Sequence, residues 1–372
     1  FAQHYFDSNK QMIKISTISE VLSENEVKLL EKESYTGHEK ILFCNDPKSK
    51  LKAIIAVHNT KLGPGLGGCR MWNYKNQNEA LTDVLRLSRG MTYKASITGL
   101  NLGGGKAVII GDSKTEKTTE MMESFGEFVE HLAGKYITAE DVGMSPNDMK
   151  IISRKTSHVV GTPKDMGGSG DPSIVTAYGV YMGIKGAAKF RWGSDQLANK
   201  KVFVQGIGKV GGYLVEYLKK EGCEITINDI DKEKMSNVAQ KSNVQIISND
   251  EMFKQNIDIY APCALGATLN DKNIESLSCE IIAGAANNQL EKEGVHDIKL
   301  KKKGILYAPD FLINAGGLIN VYSELKKWNQ EKTLKKTENI YDTTISILSR
   351  SKKEDISTHE AALSIAKERL RN

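Results

Sequence analysis

A six-residue glycine pattern that directly follows an apolar run constrains the fold of this chain more than any other feature. Residues 201–205 have the sequence KVFVQ, typical of a buried strand, and residues 206–211 have the sequence GIGKVG, which matches GxGxxG. The hexamer alone is weak evidence, because plain strand-to-helix turns often contain glycine. Here it opens a predicted helix over residues 210–221, and Asp229 follows at the end of the next predicted strand. This order predicts a β-α-β unit that binds a dinucleotide, with the pyrophosphate at the helix N-terminus.

Asp229 also predicts which dinucleotide binds. A carboxylate at this position accepts hydrogen bonds from a free ribose hydroxyl and repels a phosphate group, which favours NAD over NADP. Lys232 and Lys234 lie nearby and could weaken that preference, although solvated residues at a helix start explain them better. The predicted cofactor-binding residues of this unit are Gly206, Gly208, Lys209, Val210, Gly211 and Asp229.

The chain is long enough for two domains. A length of 372 residues exceeds one average core. Residues 161–172 are rich in Gly, Ser, Pro and Asp, and we expect the chain to cross between domains there. We predict an α/β fold with an N-terminal α/β domain over residues 1–165 and a doubly wound Rossmann domain over residues 166–344. Residues 345–372 are expected to return to the first domain, and the site is expected in the cleft between the two.

The N-terminal part alternates predicted strands and helices. Its predicted strands are residues 53–57, 107–110 and 136–139, and its predicted helices are residues 79–91 and 118–132. Glycines at residues 63–68 predict a loop, and residues 103–105 are predicted to precede the second strand. Ser23 and Glu26 form a capping-box pattern, which predicts a short helix that ends near Lys32.

Composition excludes several classes of protein. The chain is 40% hydrophobic and 26% charged, with a net charge of +5, and no apolar run reaches the length of a membrane span. The lysines at residues 301–303 lack interleaved aromatic residues, so we expect neither nucleic-acid binding nor membrane binding. Five cysteines without a CxxC pair predict reduced thiols in an intracellular compartment and no metal site. The sequence begins at Phe1, so a segment upstream is expected and the compartment stays open.

Two lysines and one aspartate stand beside predicted buried strands or tight turns. Lys94 ends GMTYK, Lys106 follows three glycines, and Asp141 lies in AEDVG. A Walker phosphate loop at Lys106 is excluded, because Gly99 is one residue too far away and Ala107 stands where Ser or Thr would bind magnesium.

Several longer motifs occur in one order from about residue 51 to the C-terminus. They are LGP at 62–64, GG at 67–68, RMW at 70–72, GMTYK at 90–94, GLNLGGGK at 99–106, TAEDVG at 138–143, APCALGA at 261–267, NQL at 288–290 and NAGG at 314–317. With them the chain resembles the glutamate/leucine/phenylalanine/valine dehydrogenase family, and its leucine dehydrogenases most closely. The resemblance implies the reversible, NAD-dependent oxidative deamination of leucine, valine or isoleucine to the 2-oxo acid and ammonia.

The resemblance also assigns roles to residues. Lys94 would bind the substrate carboxylate with help from Asn288, because an ammonium is a compact charge. Lys106 would activate water and polarise the reacting carbon, and Asp141 would pass protons to and from the substrate amine. Four further residues match family positions near the nicotinamide or along the cofactor cleft: Thr176, Asn314, Cys263 and Ala264. The N-terminal domain would bind substrate and form a homo-oligomer, with an octamer typical of leucine-type members. Such an enzyme is expected in the cytoplasm or, alternatively, in the mitochondrial matrix.

An apolar pocket for the substrate side chain is implied as well. Its matching residues are Leu66, Ala139, Leu318 and Val321. A buried glutamate side chain would meet no charged partner there, which disfavours glutamate by several kcal/mol. Leu318, where valine is usual, leaves valine against leucine undecided, and Lys209 and Asp171 are further departures from the family pattern. The alternatives are a phenylalanine dehydrogenase, a catalytically idle oligomeric paralogue and a different Rossmann enzyme, the last disfavoured by the first-domain motifs. Arg70, Glu140 and Cys69 are interpreted as ion pair, turn and core residues.

Overall fold

A computed structural model describes residues 4–6, 12–16, 36–252, 255–264 and 266–371. The helix predicted from Ser23 to Lys32 lies outside these residues, as does Leu265 of the APCALGA motif. The chain divides into two compact units, Phe1–Gly170 and Asp171–Asn372, and each is described by itself.

The first unit is built on a seven-stranded mixed sheet with the order β1-β2-β3-β4-β6-β5-β7. Its strands are β1 (His4–Phe6), β2 (Met12–Ser16), β3 (Lys40–Asp46), β4 (Leu51–Asn59), β5 (Gly65–Trp72), β6 (Gly103–Ile110) and β7 (Tyr136–Glu140). Its helices are α1 (Gln77–Ile97), α2 (Thr119–His131) and α3 (Pro146–Ile152). Strands β1 to β4 and the β4–β6 pair are antiparallel, whereas β5 pairs in parallel with both β6 and β7.

The central strand β4 is buried on both faces, which explains its continuous apolar run. Ala53, Ile55 and Val57 pack in one core with the apolar face of α2, including Met122 and Phe125. The alternate side chains of β4 pack in a second core with α1. Since successive side chains of a strand point to opposite faces, the sheet has a helical layer on each side.

The glycines of the first unit lie partly inside strands, which corrects two predictions. Residues 65–68 open β5 although the sequence predicts a loop there, and residues 103–105 open β6 although they are predicted to precede it. Gly103, Gly104 and Gly105 are extended and buried, because neighbouring main chain and side chains occupy the positions that their Cβ atoms would take.

The second unit contains a six-stranded parallel sheet with the order β10-β9-β8-β11-β12-β13. Its strands are β8 (Lys201–Gln205), β9 (Glu224–Asn228), β10 (Gln245–Ile246), β11 (Ile259–Pro262), β12 (Ile281–Ile282) and β13 (Leu306–Tyr307). The chain builds outward from β8 in one direction and from β11 in the other, so the strand order reverses between β8 and β11. This is the predicted doubly wound sheet, in which ligands bind at the carboxyl ends of the strands beside the reversal.

Ten helices of the described residues complete the second unit. They are α4 (Ser173–Trp192), α5 (Lys209–Lys220), α6 (Lys232–Ser242), α7 (Asn249–Met252), α8 (Asp271–Ser276), α9 (His296–Lys302), α10 (Asp310–Ile313), α11 (Gly316–Leu325), α12 (Gln330–Glu354) and α13 (Thr358–Arg371). Among the described residues, no helix is both long enough and apolar enough to span a membrane.

The C-terminal helices contact other helices of the second unit, and the return of residues 345–372 to the first domain stays a prediction. Helix α12 lies against α4, where Gly179, Gly183 and Gly186 replace larger side chains. A Cβ at Gly186 would stand 2.7 Å from the carbonyl oxygen of Tyr341 on α12, so these glycines permit the close approach. The sequence prediction did not account for this helix-helix interface.

Candidate active site

Lys106 and Asp141 form an ion pair in the first unit. Lys106 lies within β6, opposite Ala56 of β4, and Asp141 directly follows β7. The ammonium group of Lys106 donates a hydrogen bond to Asp141 Oδ2. The side chains are 8% and 19% exposed, so the pair is shielded but still reachable.

Gly68 of β5 leaves room for this pair, and Gly67 lets β5 and β6 approach closely. Because β5 lies between β6 and β7, the side chains of Lys106 and Asp141 approach each other across it. A Cβ at Gly67 would stand 1.8 Å from the carbonyl oxygen of Gly105, and a Cβ at Gly68 would stand 2.9 Å from the Asp141 Cβ. Any side chain at residue 68 would therefore displace Asp141.

The surroundings of Asp141 keep it ionised. Burial acts to raise its pKa, but the Lys106 ammonium and the Arg70 guanidinium outweigh burial and hold the pKa of Asp141 below its ordinary value. Its Oδ1 atom accepts a hydrogen bond from the Val142 N–H at 2.6 Å. Asp141 is therefore a carboxylate at neutral pH, able to accept a proton.

Arg70 belongs to this cluster, which its interpretation as an ion-pair residue only partly anticipates. Its Nη2 lies 3.8 Å from Asp141 Oδ2, and its Nη1 lies 3.0 Å from Asp83 Oδ2 on α1. The Tyr74 hydroxyl donates to the same Asp83 oxygen at 2.7 Å. The available signal was the spacing of residues 68 and 70, which places both on one face of a strand.

The side chains predicted to line the apolar pocket in this unit share that face. Leu66 pairs with Ile137 of β7, and Gly68 pairs with Ala139, so Leu66, Ala139 and Arg70 project to the same side of the parallel sheet. Leu66 and Ala139 are 2% and 5% exposed. The structure thus brings two predicted pocket residues to the face that carries Arg70.

Lys94 lies in the last turn of α1 and is half-buried. Its carbonyl oxygen accepts a hydrogen bond from the Thr98 hydroxyl at 2.7 Å, which closes the helix end. The main-chain position of Lys94 is therefore fixed by the helix and its cap.

In the second unit, the glycine pattern forms the turn between β8 and α5. Gly206 has a φ of +97°, which favours glycine, and Gly208 is the N-cap residue of α5. A Cβ at Gly211 would stand 2.0 Å from the Gly206 carbonyl oxygen, so this glycine allows the helix to start close to the strand. The first turn of α5 contains no acidic residue, which leaves its main-chain N–H groups suited to an anion.

Asp229 is tied to this turn. Its Oδ2 accepts a hydrogen bond from the Ile207 N–H at 2.5 Å, and its Oδ1 accepts one from the Asp231 N–H at 2.9 Å. Cys263 and Ala264 also border the turn: the Cys263 N–H donates to Gln205 at 2.6 Å, and a Cβ at Gly206 would meet the Ala264 nitrogen at 2.6 Å. The structure therefore brings together the glycine turn, Asp229 and Cys263-Ala264, as a dinucleotide site requires.

Two departures from the family pattern meet beside the same turn. The ammonium of Lys209, at the first position of α5, lies 2.9 Å from the carboxylate of Asp171. Both side chains are substantially exposed, so this ion pair contributes little to stability.

The remaining predicted residues of the second unit lie on helices α4 and α11 and on two loops. Thr176 packs beside Gly317, and the Asn314 Nδ2 donates to Asn287 Oδ1 at 2.7 Å. Asn314 Oδ1 is buried and has no hydrogen-bond partner within the described residues. Asn288 is exposed with a φ of +51°. Leu318 is buried on α11, and Val321 is half-buried.

Two supporting residues were missed at the sequence level. Gln289 is fully buried, and its Nε2 donates to the carbonyl oxygen of Gly284 at 2.7 Å. Asp310 Oδ2 accepts a hydrogen bond from the Gln289 N–H at 3.0 Å. Together they fix the loop that carries Asn287 and Asn288. The sequence offered only the NQL motif at residues 288–290 as a signal, and the burial of its glutamine became apparent in the structure.

Comparison with known proteins identifies the family. Residues 38–158 match the model for the Glu/Leu/Phe/Val dehydrogenase dimerisation domain, and residues 167–231 and 225–372 match that for glutamate/leucine/phenylalanine/valine dehydrogenase. The chain belongs to the Glu/Leu/Phe/Val dehydrogenase family. It is therefore an amino acid dehydrogenase that depends on a nicotinamide cofactor, and its dimerisation domain supports an oligomer.

Individual relatives within this dehydrogenase family are named after different substrates. The chain is 49% identical over 343 residues to the leucine dehydrogenase of Bacillus subtilis (strain 168), covering 92% of this chain and 93% of that one. It is 47% identical over 338 residues to a phenylalanine dehydrogenase of Caldalkalibacillus thermarum (strain TA2.A1), covering 90% and 91%. The crystal structure of L-tryptophan dehydrogenase from Nostoc punctiforme matches with a TM-score of 0.82 and 44% identity, covering 90% of this chain and 96% of that one.

Proposed function

We propose that this dehydrogenase catalyses the reversible, NAD-dependent oxidative deamination of a branched-chain apolar L-amino acid to its 2-oxo acid and ammonia. The observation that carries the proposal is the shielded Lys106–Asp141 ion pair beside Gly68. A carboxylate that accepts protons and a lysine beside it supply the acid and base that deamination needs.

In the proposed mechanism, Lys94 holds the substrate carboxylate and Asp141 takes a proton from the substrate ammonium. NAD, when bound, would accept the hydride from the α-carbon, which leaves a protonated imine on the substrate. Lys106, after releasing its own proton to solvent, takes one proton from the water that adds to this protonated imine. Asp141 returns its proton to the nitrogen, and ammonia leaves as the hydroxyl group of the adduct gives its proton to solvent, which leaves the 2-oxo acid. Asn288, Leu318 and Val321, expected from the resemblance to contact substrate, stay predictions.

The residues beside the pair favour a substrate with an apolar side chain. Leu66 and Ala139 offer an apolar surface, and a buried glutamate carboxylate would cost several kcal/mol against it. Phenylalanine is the second candidate, because a relative at 47% identity is a phenylalanine dehydrogenase.

NAD is proposed as the cofactor because of the turn around Gly206. Asp229 places a carboxylate at the end of β9, where it would accept hydrogen bonds from a ribose hydroxyl and repel a phosphate. The N–H groups at the start of α5 would hold the pyrophosphate. Thr176 and Asn314 would lie near the nicotinamide, with the Asn314 Oδ1 as an acceptor, and Cys263-Ala264 would line the cofactor site.

A homo-octamer is proposed from the resemblance to leucine-type members, and the cytoplasm or the mitochondrial matrix is proposed as its location. Analytical ultracentrifugation at several protein concentrations would test the octamer, which predicts one species of eight chains.

The decisive experiment is a screen of L-amino acids for NADH production at alkaline pH. We expect turnover of leucine, valine and isoleucine, less of phenylalanine and none of glutamate or D-leucine. The Asp229→Ser variant should shift the ratio of kcat/KM with NAD to that with NADP by about 10-fold towards NADP. An enzyme that turns over none of the branched-chain amino acids would contradict the proposed substrate class.

A further inference from the structure

Arg70 connects the Lys106–Asp141 pair to helix α1. Its guanidinium lies 3.8 Å from Asp141 Oδ2 and 3.0 Å from Asp83 Oδ2. The Tyr74 hydroxyl holds the same Asp83 oxygen at 2.7 Å. The guanidinium is therefore fixed by an anchor that is separate from the pair itself.

The two cations beside Asp141 differ in what they can do. In the proposed mechanism Lys106 acts on the water and on the reacting carbon. Its flexible side chain can move away from Asp141. Arginine stays protonated at any working pH, and its planar group is held by several contacts. Arg70 can thus keep a positive charge beside Asp141 while Lys106 acts elsewhere.

We propose that Arg70 is a positioning residue that orients the Asp141 carboxylate and supplies the permanent positive charge of the site. This inference rests on the proposed function, in which Asp141 transfers protons. Arg70 Nε supports it: this atom is buried and has no hydrogen-bond partner within the described residues. A buried donor without a partner is unfavourable, which fits a residue placed for its charge at the site.

The other groups around Asp141 do not replace this charge. The thiol of Cys69 on β5 and the phenol of Tyr136 on β7 are neutral at working pH, because burial raises the pKa of both. Lys117 near α2 is engaged by Asp148 at 2.7 Å. On α1, Asp83 contacts Arg70, and Arg86 Nη2 lies 3.7 Å from Asp83 Oδ1.

The role predicts a shift in the pH dependence of activity. The Arg70 guanidinium favours the ionised form of Asp141, so its removal favours the protonated carboxyl group. In Arg70→Met, the acid limb of kcat/KM for the best L-amino acid should therefore move to higher pH by about one unit. Arg70→Lys, which restores the charge, should return the limb most of the way to the wild-type position.

Matched controls separate this role from a general effect on structure. Arg86→Met removes an arginine that contacts Asp83 but not Asp141, and it should leave the limb in place. NADH titration by fluorescence should give the same Kd for all variants. If Arg70→Met does not fold, Arg70→Gln carries the same prediction, because it keeps polar donors and loses the charge.

Two outcomes would overturn the inference. The first is an active enzyme whose acid limb is unchanged in Arg70→Met or Arg70→Gln, and the second is an equal shift in Arg86→Met. Either result leaves the proposed function standing. A wild-type enzyme that oxidises no L-amino acid would instead contradict the proposed function, and this role with it.

Discussion

Residues 103–105 and residues 206–211 are both rich in glycine, but the protein uses their missing side chains differently. In the first unit, the glycines lie within β6 and are packed from all sides. A Cβ at Gly104 would stand 2.1 Å from Thr92 Oγ1 and 2.5 Å from the Ser88 carbonyl oxygen on α1. In the second unit, Gly208 has no atom within 4 Å of its Cβ position, so the space beside it is open.

The difference separates two ways of building a site. In the first unit, the missing side chains of residues 103–105 let α1 and neighbouring strands pack closely against β6, and the chemistry belongs to the side chains of Lys106 and Asp141. In the second unit, glycine exposes main-chain N–H groups, and the binding belongs to the backbone. Glycine-rich composition alone does not distinguish these cases, whereas the neighbours of each glycine do.

The largest effect on activity is expected from Lys106, the reactive lysine of the first unit. Lys106→Ala should lower kcat by about 10²- to 10⁴-fold, because it removes the group that acts on water and the reacting carbon. Steady-state kinetics with leucine measures this, with the exposed Lys114→Ala as control. NADH titration should show an intact cofactor site. Near-native kcat at saturating substrate would remove Lys106 from the mechanism.

The packed glycines themselves should be intolerant of a methyl group. Gly104→Ala should lower the free energy of unfolding by about 2–3 kcal/mol, because its Cβ would strike the main chain of α1. Gly212→Ala on α5 is the matched control: nothing lies within 4 Å of its Cβ position, so a gain of up to about 1 kcal/mol is expected. Urea unfolding at one fixed protein concentration measures both. Equal effects at the two positions would contradict the distinction.

Acid should destabilise the first unit through a histidine beside the same helix. His58 is buried, its Nδ1 lies 2.8 Å from Thr92 Oγ1, and its ring contacts that of His38. Burial, with smaller repulsion from His38 and Arg89, lowers the pKa of His58 to about 4. Since the unfolded imidazole titrates near 6.5, protons favour the unfolded chain as the pH falls from about 6.5 to about 4.

The unfolding free energy should therefore be about 2 kcal/mol lower at pH 5 than at pH 7 on account of His58. His58→Gln should flatten this part of the profile, and His158→Gln, at a half-exposed position, serves as control. Urea unfolding at both pH values gives the comparison. An unchanged pH dependence in His58→Gln would show that other groups cause the acid sensitivity.

The smallest effect is expected where glycine serves the backbone. Gly208→Ala has room for its methyl group and an ordinary φ of −71°, so stability should change by less than about 1 kcal/mol. Its NADH Kd should rise about 10-fold, because the methyl group would occupy the approach of the pyrophosphate. Fluorescence titration tests this, and an unchanged Kd would place the pyrophosphate elsewhere.

Much of this organisation could be predicted from the sequence. The run at residues 53–57 and the β-α-β unit around Gly206 have strong periodicity, and the structure contains both. Lys106 and Asp141 stood out because charged residues beside buried strands are rare. Their pairing across β5 did not follow from local pattern, since it depends on the order of strands that are distant in sequence.

Other features were mispredicted for identifiable reasons. Glycine usually interrupts or ends a strand, so residues 65–68 and 103–105 were assigned to connecting segments. Only the tertiary neighbours show that these positions must lack side chains. The packing of α12 on α4 could not be predicted from local pattern, because the glycine face of α4 that receives α12 becomes apparent only when the two helices are side by side.

The space left by Gly68 also changes how related sequences should be judged. A chain can retain both the lysine and the aspartate of this site and still lose the contact between them, if a larger residue stands at position 68 and pushes the aspartate aside. Loss of activity in such a paralogue would leave no trace at the two reactive positions. The residue that distinguishes an inactive paralogue is therefore the glycine at position 68, which takes no part in the chemistry.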